Sequence, residues 1–142
     1  VGLIEGELAH PDLVVTPFRE DELVVFSAPT HPLARRRTLR DADLQTMAWI
    51  LREPGSGTRQ TFDRAMAGLL PELRVAMELS YIAVIKRAVE AGLGVGCVSR
   101  IALVDEIARG SVRVYRVPQR DFRRRFYYVL HREKHVNPAI RA

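Results

Sequence analysis

The chain has a single cysteine, Cys97, so it cannot close a disulfide within itself, a usage that fits a reducing compartment. No apolar run approaches the ~18 residues that a helix needs to cross a bilayer, so no membrane span is read. A basic stretch followed by an apolar one is missing at the start, and no secretory signal is read there. Aromatic residues make up only 7%. They are not interleaved with basic residues in the manner of an RNA-recognition sheet, and neither zinc-finger spacing nor a helix-turn-helix signature is found. An initiating Met is also missing, and Val1-Gly2-Leu3-Ile4-Glu5 reads as the inside of an element, so residues upstream are expected.

What is present suits an ordinary globular chain: 142 residues, 47% hydrophobic and 27% charged, enough for one domain or two small lobes. Lys and Arg number 22 against 17 Asp and Glu, a formal charge of +5. The arginines gather at Arg35-Arg36-Arg37-Arg40 and at Arg123-Arg124-Arg125, and both groups read as solvated loops. Charge alone does not make the chain a reader of DNA.

Hydrophobic period alternates between two and 3.6, the pattern of an α/β protein. Strands are expected at 1–4, 13–15, 22–28, 49–51, 73–79, 94–98, 112–117 and 126–130. A short helix is expected over 39–44, with Thr38 and Asp41 as its capping pair. Phe62, Ala65, Met66, Leu69 and Leu70 form one helical stripe that Pro71 stops. Ser80 is placed to cap a second helix carrying Ile82, Ile85 and Val89, with Gly92 past its end. A third runs over 100–109 and stops at Gly110, and Asn137-Pro138 reads as a further helix start. The middle, about 22 to 109, has enough elements to close its own sheet. The ends have strands without covering helices, although a parallel sheet needs both faces covered.

The segment with most chemical content is Gly55-Ser56-Gly57-Thr58-Arg59. A helix start offers unpaired N–H groups and about half a positive charge. Glycines let the backbone approach a ligand, the Ser56 and Thr58 hydroxyls add donors, and Arg59 adds a forked guanidinium. This makes a cradle for a carboxylate, sulfate or phosphate, unless Ser56 or Thr58 only caps the helix. Gly92-Leu93-Gly94-Val95-Gly96 follows a helix and enters a strand, the reverse of a dinucleotide fingerprint, so helix termination and close packing account for it. No catalytic constellation is visible. Ser56 is not in Gly-x-Ser-x-Gly, and Cys97 lies in an apolar strand with no base beside it. His131 and His135 match no metalloprotease order, and His10 and His31 sit in proline-rich turns. Neither a metal site nor a cofactor is expected.

A collinear set of segments resembles the C-terminal effector-binding domain of LysR-type transcriptional regulators. The set runs through Gly2–Gly6, Asp21–Val25, Thr30–Ala34, Asp43-Leu44, Trp49–Glu53, Gly55–Arg59, Ile85-Lys86, Ala88-Val89 and Ala91–Val95. The resemblance implies an α/β, periplasmic-binding-protein-like fold of two lobes with crossover strands. Residues 1–20 would be part of the first lobe and a crossover, 21–110 the second lobe, and 111–142 the return and the rest of the partial first lobe. Relative to that family the chain lacks the helix-turn-helix domain, the linker helix and about half of the first lobe.

The resemblance also implies a small, anionic effector bound between the lobes. Ser56, Gly57, Thr58 and Arg59 would line the second lobe's wall, Ser80 and Tyr81 would face the same region, and Glu5 and Gly6 would border it. A cytoplasmic sensing module is expected, self-associating as a dimer or tetramer and reaching DNA only through a helix-turn-helix domain outside this chain. The alternatives are a transport-type solute-binding protein of the same fold and an enzyme on a related scaffold.

Overall fold

A computed structural model describes residues 2–5 and 8–133. Its strands are β1 (Gly2–Glu5), β2 (Leu13–Ser27), β3 (Ala48–Arg52), β4 (Arg74–Leu79), β5 (Val95–Ser99), β6 (Arg113–Tyr115) and β7 (Arg123–His131). Its α-helices are α1 (Asp41–Thr46), α2 (Gly57–Ala65), α3 (Ile82–Glu90) and α4 (Val104–Arg109), with short 3-10 turns at Leu70–Glu72 and Arg100–Leu103. The chain divides into two compact units: Val1–Asp21 with Arg123–Ala142, and Glu22–Phe122.

In the Glu22–Phe122 unit the strand order is β6-β2-β5-β3-β4. β3 runs parallel to both β4 and β5, while β2 is antiparallel to β5 and β6. Strand side chains alternate between faces, so a sheet covered on both sides needs apolar residues throughout. Leu23 and Val25, Trp49 and Leu51, and Val95 and Cys97 pack on one face against Leu44 of α1 and Phe62 and Ala65 of α2. Val24, Phe26, Ile50 and Val98 take the opposite face against Ile85 and Val89 of α3 and Leu103. Trp49 is fully buried, its ring 5.1 Å from that of Phe62, and its indole N–H donates to the Leu44 carbonyl at 3.0 Å.

Gly94 and Gly96 are what the strand packing requires. A Cβ on Gly94 would lie 2.5 Å from the Ala48 carbonyl oxygen, and one on Gly96 would lie 2.6 Å from the Phe26 ring. Two further glycines close helices in left-handed backbone, Gly92 (φ 80°) after α3 and Gly110 (φ 73°) after α4.

The helices differ from expectation at their ends. At α1 the cap is not made by Thr38 and Asp41. Asp43 accepts the Arg40 backbone N–H at 2.8 Å and the Arg36 guanidinium at 2.8 Å. The Arg40 amide first, and then the Arg36 and Arg40 charges, hold the Asp43 carboxyl below its ordinary value. Ser80 does not cap α3; the N-cap position falls one residue later, on Tyr81, with no side-chain cap, and Ser80 is exposed. α2 stops at Ala65, before Pro71. The chain turns at Gly68 (φ 84°), and Arg120 donates to the carbonyls of Ala65 and Ala67 at 3.4 and 2.7 Å. Leu69 stays buried but Leu70 is turned outward.

The second unit, Glu22–Phe122, also takes in β6. β6 pairs with β2, and Tyr115, Val117 and Phe122 complete the same core as Trp49.

In the other unit, β7 lies beside both β1 and β2, and β1 is antiparallel to it, with Gly2 opposite Val129 and Glu5 opposite Phe126. The expected strands at 13–15 and 22–28 are one strand. Pro17 does not break it, because among the described residues that half of β2 has only β7 as a neighbour and needs no second ladder. Arg124 is not in a solvated loop. Its guanidinium meets Asp21 at 2.9 Å, both side chains nearly buried, and lies 4.8 Å over the Phe126 ring. Gly6, His135, Asn137 and Pro138 lie outside the described residues.

Two outcomes are expected. Gly94→Ala destabilises the chain by about 1–3 kcal/mol, because the clash is with backbone, and denaturant titration measures it. Asp43→Asn flattens the acid side of the stability profile. The Asp43 carboxylate is depressed when folded, so its contribution is full above the ordinary value of 3.8 and is lost as pH falls through the lower folded value. Thermal melts from pH 6 down to about pH 3 should separate the two proteins at the upper end and bring them together at the lower.

Candidate functional site

Parallel strands end their carboxyl termini on one edge of a sheet, and the connections that leave them set where a ligand can be held. β3 leaves through residues 53–56 into α2, which covers the Trp49 face. β5 leaves directly into the turn Arg100–Leu103, and Leu103 belongs to the opposite face. The two neighbouring strands thus hand the chain to opposite sides of the sheet, which makes their carboxyl ends a topological switch point. β4 ends on the same edge, with Leu79 in register with Arg52, and leads through Ser80 and Tyr81 into α3.

The turn after β3 is tightly specified. The Ser56 N–H donates to the Glu53 carbonyl at 3.3 Å, and Gly55 takes a left-handed φ of 95°. Arg52 and Glu53 pair with each other at 2.8 Å. Ser56 is the N-cap of α2: its hydroxyl accepts the Arg59 N–H at 2.9 Å, and its carbonyl accepts the Gln60 N–H at 3.0 Å. Thr58 is buried, and the Gly57 N–H has no hydrogen-bond partner among the described residues. The helix start therefore keeps part of its donor set after capping.

Arg59 is engaged on its own chain. Its Nε donates to Asp63 at 3.0 Å, and one terminal nitrogen donates to both the Arg52 carbonyl (2.9 Å) and Glu78 (3.0 Å). The side chain is 14% exposed. One guanidinium thus joins the end of β3, the body of α2 and the neighbouring strand β4. Two carboxylates face it, so it does not present a bare positive charge. Its other terminal nitrogen has no hydrogen-bond partner among the described residues.

The structure brings Ser56, Gly57, Thr58 and Arg59 together at the start of α2, and places Ser80 and Tyr81 at the start of α3 on the same edge. Both of the latter are exposed, Tyr81 at 71%. Glu5 lies in the other unit, with its backbone opposite Phe126. Sequence reasoning did not single out Ser99 and Arg100, which leave β5 at the switch point. The Ser99 hydroxyl accepts the Ile101 N–H at 3.3 Å, and Arg100 is exposed with no side-chain partner among the described residues. The available signal was a Ser-Arg pair between an apolar strand and a helical stretch. Glu78 was missed because its role depends on β4 lying beside β3. No group of three or more His, Cys, Asp or Glu residues that could hold a metal occurs among the described residues.

Comparison with known proteins agrees along the whole length. The family model for the LysR substrate binding domain matches residues 1–142. The chain is 41% identical over 141 residues to the HTH-type transcriptional regulator YeiE of Escherichia coli (strain K12), covering 99% of this chain and 48% of that protein. It is 33% identical over 131 residues to the HTH-type transcriptional regulator CysL of Bacillus subtilis (strain 168), covering 91% and 43%. The chain thus spans about half the length of these curated relatives. Among solved structures, the regulatory domain of CcmR from Synechocystis PCC6803, in complex with 2-PG, superposes with a TM-score of 0.83 at 29% identity, covering 98% of this chain and 67% of that one. The effector binding domain of QuiR, in complex with shikimate, has a TM-score of 0.80 at 20% identity, with 98% and 65% covered, and shares the fold. The α/β, periplasmic-binding-protein-like fold implied by the resemblance is therefore shown. On the full-length family match and the regulators it is related to, the chain belongs to the LysR substrate binding domain family.

Proposed function

We propose that the chain is the effector-sensing part of a LysR-type transcriptional regulator and that the turn opening α2 holds a small anion. The observation that carries this reading is the start of that nine-residue helix, whose Gly57 amide has no hydrogen-bond partner among the described residues, at the carboxyl ends of parallel strands. The 2-PG complex of the similar CcmR regulatory domain supports an anionic ligand class.

With the Arg59 charge shared between Asp63 and Glu78, most of the pull on an anion comes from main-chain donors and the helix dipole. Ser56, Thr58 and the second terminal nitrogen of Arg59, which has no hydrogen-bond partner among the described residues, shape the site, and Ser80 and Tyr81 flank it from α3. No catalytic step is assigned to any of these groups, and the curated relatives named above are HTH-type transcriptional regulators.

An effector acts on a regulator only by binding one of its states more tightly than another. In this reading the sensing chain works in the cytoplasm, within a dimer or tetramer, and passes its state to a helix-turn-helix domain outside the 142 residues. No helix among the described residues is long and apolar enough to cross a membrane.

Ser56→Ala and Arg59→Ala are each expected to weaken anion affinity about tenfold, the equivalent of ~1.4 kcal/mol. Isothermal titration with small carboxylates and phosphate esters measures it. Unchanged affinity in both variants removes these residues from the site. Ser56→Ala should also lower stability by about 1 kcal/mol through loss of the cap, a separate readout in denaturant.

A further inference from the structure

The positive charge of the chain is unevenly placed. The segments Arg35–Asp43 and Arg113–Arg120 contain seven arginines (Arg35, Arg36, Arg37, Arg40, Arg113, Arg116 and Arg120) against two acids, Asp41 and Asp43. That excess of five equals the formal charge of the whole chain, so the remaining residues balance. The two segments are far apart in sequence but joined in the fold. The Arg116 N–H donates to the Arg37 carbonyl at 2.7 Å, the Leu39 N–H donates to the Arg116 carbonyl at 2.9 Å, and Thr38 bridges Arg116. Arg113 sits on β6 opposite Ser27. The arginines thus gather around β6, on backbone held by hydrogen bonds.

The local acids are already committed. Asp43 takes Arg36 at 2.8 Å and Arg40 at 3.7 Å, and Asp41 takes Arg120 at 2.8 Å. Arg35, Arg37, Arg113 and Arg116 are exposed and have no hydrogen-bond or ion-pair partner for their side chains among the described residues.

Neither of these two segments carries an exposed large hydrophobic residue. The exposed large hydrophobic residues, from Leu3 and Phe18 to Tyr81, Val104 and Ile107, all fall outside the stretches 27–47 and 111–122. A protein interface is centred on buried aromatic or aliphatic anchors, which these two stretches do not supply. A phosphodiester backbone asks only for cationic donors in a row.

We propose that Arg35, Arg37, Arg113 and Arg116 form a docking surface for the phosphate backbone of duplex DNA. Phosphate contacts fix position without reading bases, so this surface carries no sequence preference and adds to whatever domain reads the operator. Relatives that are transcriptional regulators work beside DNA, where tethering makes even weak phosphate contacts effective.

The test is fluorescence anisotropy of the intact chain with a labelled 30-base-pair duplex of random sequence, across about 50 to 200 mM NaCl. Changing all four arginines to Gln should reduce the slope of log affinity against log salt by ~3–4, since each phosphate left without its cation lowers the slope by about one. Changing the same four to Lys should keep the slope, because lysine also neutralises phosphate. A control replaces four exposed arginines elsewhere, Arg19, Arg74, Arg87 and Arg132, by Gln and should leave the slope nearly unchanged. No binding of the duplex at 50 mM NaCl overturns the proposal. So does an equal loss of slope in the control, which would make net charge the cause. Displacement of the duplex by poly-glutamate at equal charge would assign the surface to an acidic polypeptide and overturn it too.

Discussion

A parallel pair of strands survives in water only when both of its faces are covered, and the second unit is organised around meeting that condition for β3 and β5. Every residue of β5 is buried, as are Trp49, Ile50 and Leu51 of β3. Successive side chains must then find cover on opposite sides, which forces α2 and α3 onto different faces. The helix starts at 57 and 82 follow from this, because each helix must leave a strand end and cross back. The edge where the strands end is therefore a by-product of core packing, and its polar groups stand at the ends of the most deeply buried strands of the unit.

Much of this was legible. Short continuous apolar runs such as Leu23–Phe26 and Trp49–Leu51 read as strands buried on both sides, and the Phe62 stripe reads as a helix face. Gly92 and Gly110 announced the ends of helices in the residues themselves. What failed was set by partners far away in sequence. The strand pieces at 13–15 and 22–28 were read apart because nothing local says that the first half of β2 continues into the second through Pro17. The early stop of α2 depends on Arg120 reaching the carbonyls at its end. The cap on α1 is the local exception: it passed to Asp43 because Arg36 and the Arg40 amide, both within seven residues, converge there. Arg124, read as part of a loop, is nearly buried because Asp21 and the Phe126 ring offer it a charge and a π face together.

The same division applies at the candidate site. The Gly-Ser-Gly-Thr-Arg run gave away a helix start with open donors, since that property is local. The state of Arg59 was not local: a guanidinium that sequence presents as available is shared between Asp63 one turn on and Glu78 on the next strand. Electrostatically the group behaves more as a brace between β3, α2 and β4 than as a free cation. Arg100, on the neighbouring strand end and distant in sequence, is an exposed charge with no side-chain partner among the described residues.

Cys97, alone of its kind in the chain, sits in the centre of β5 at 2% exposure. A thiol there is sealed from solvent by the sheet and by the helix layer over it, so a sulfhydryl reagent can reach it only when those layers part. The chain thus has a built-in clock: its labelling rate reports how often the second unit opens, with no probe to introduce and no competing site to subtract.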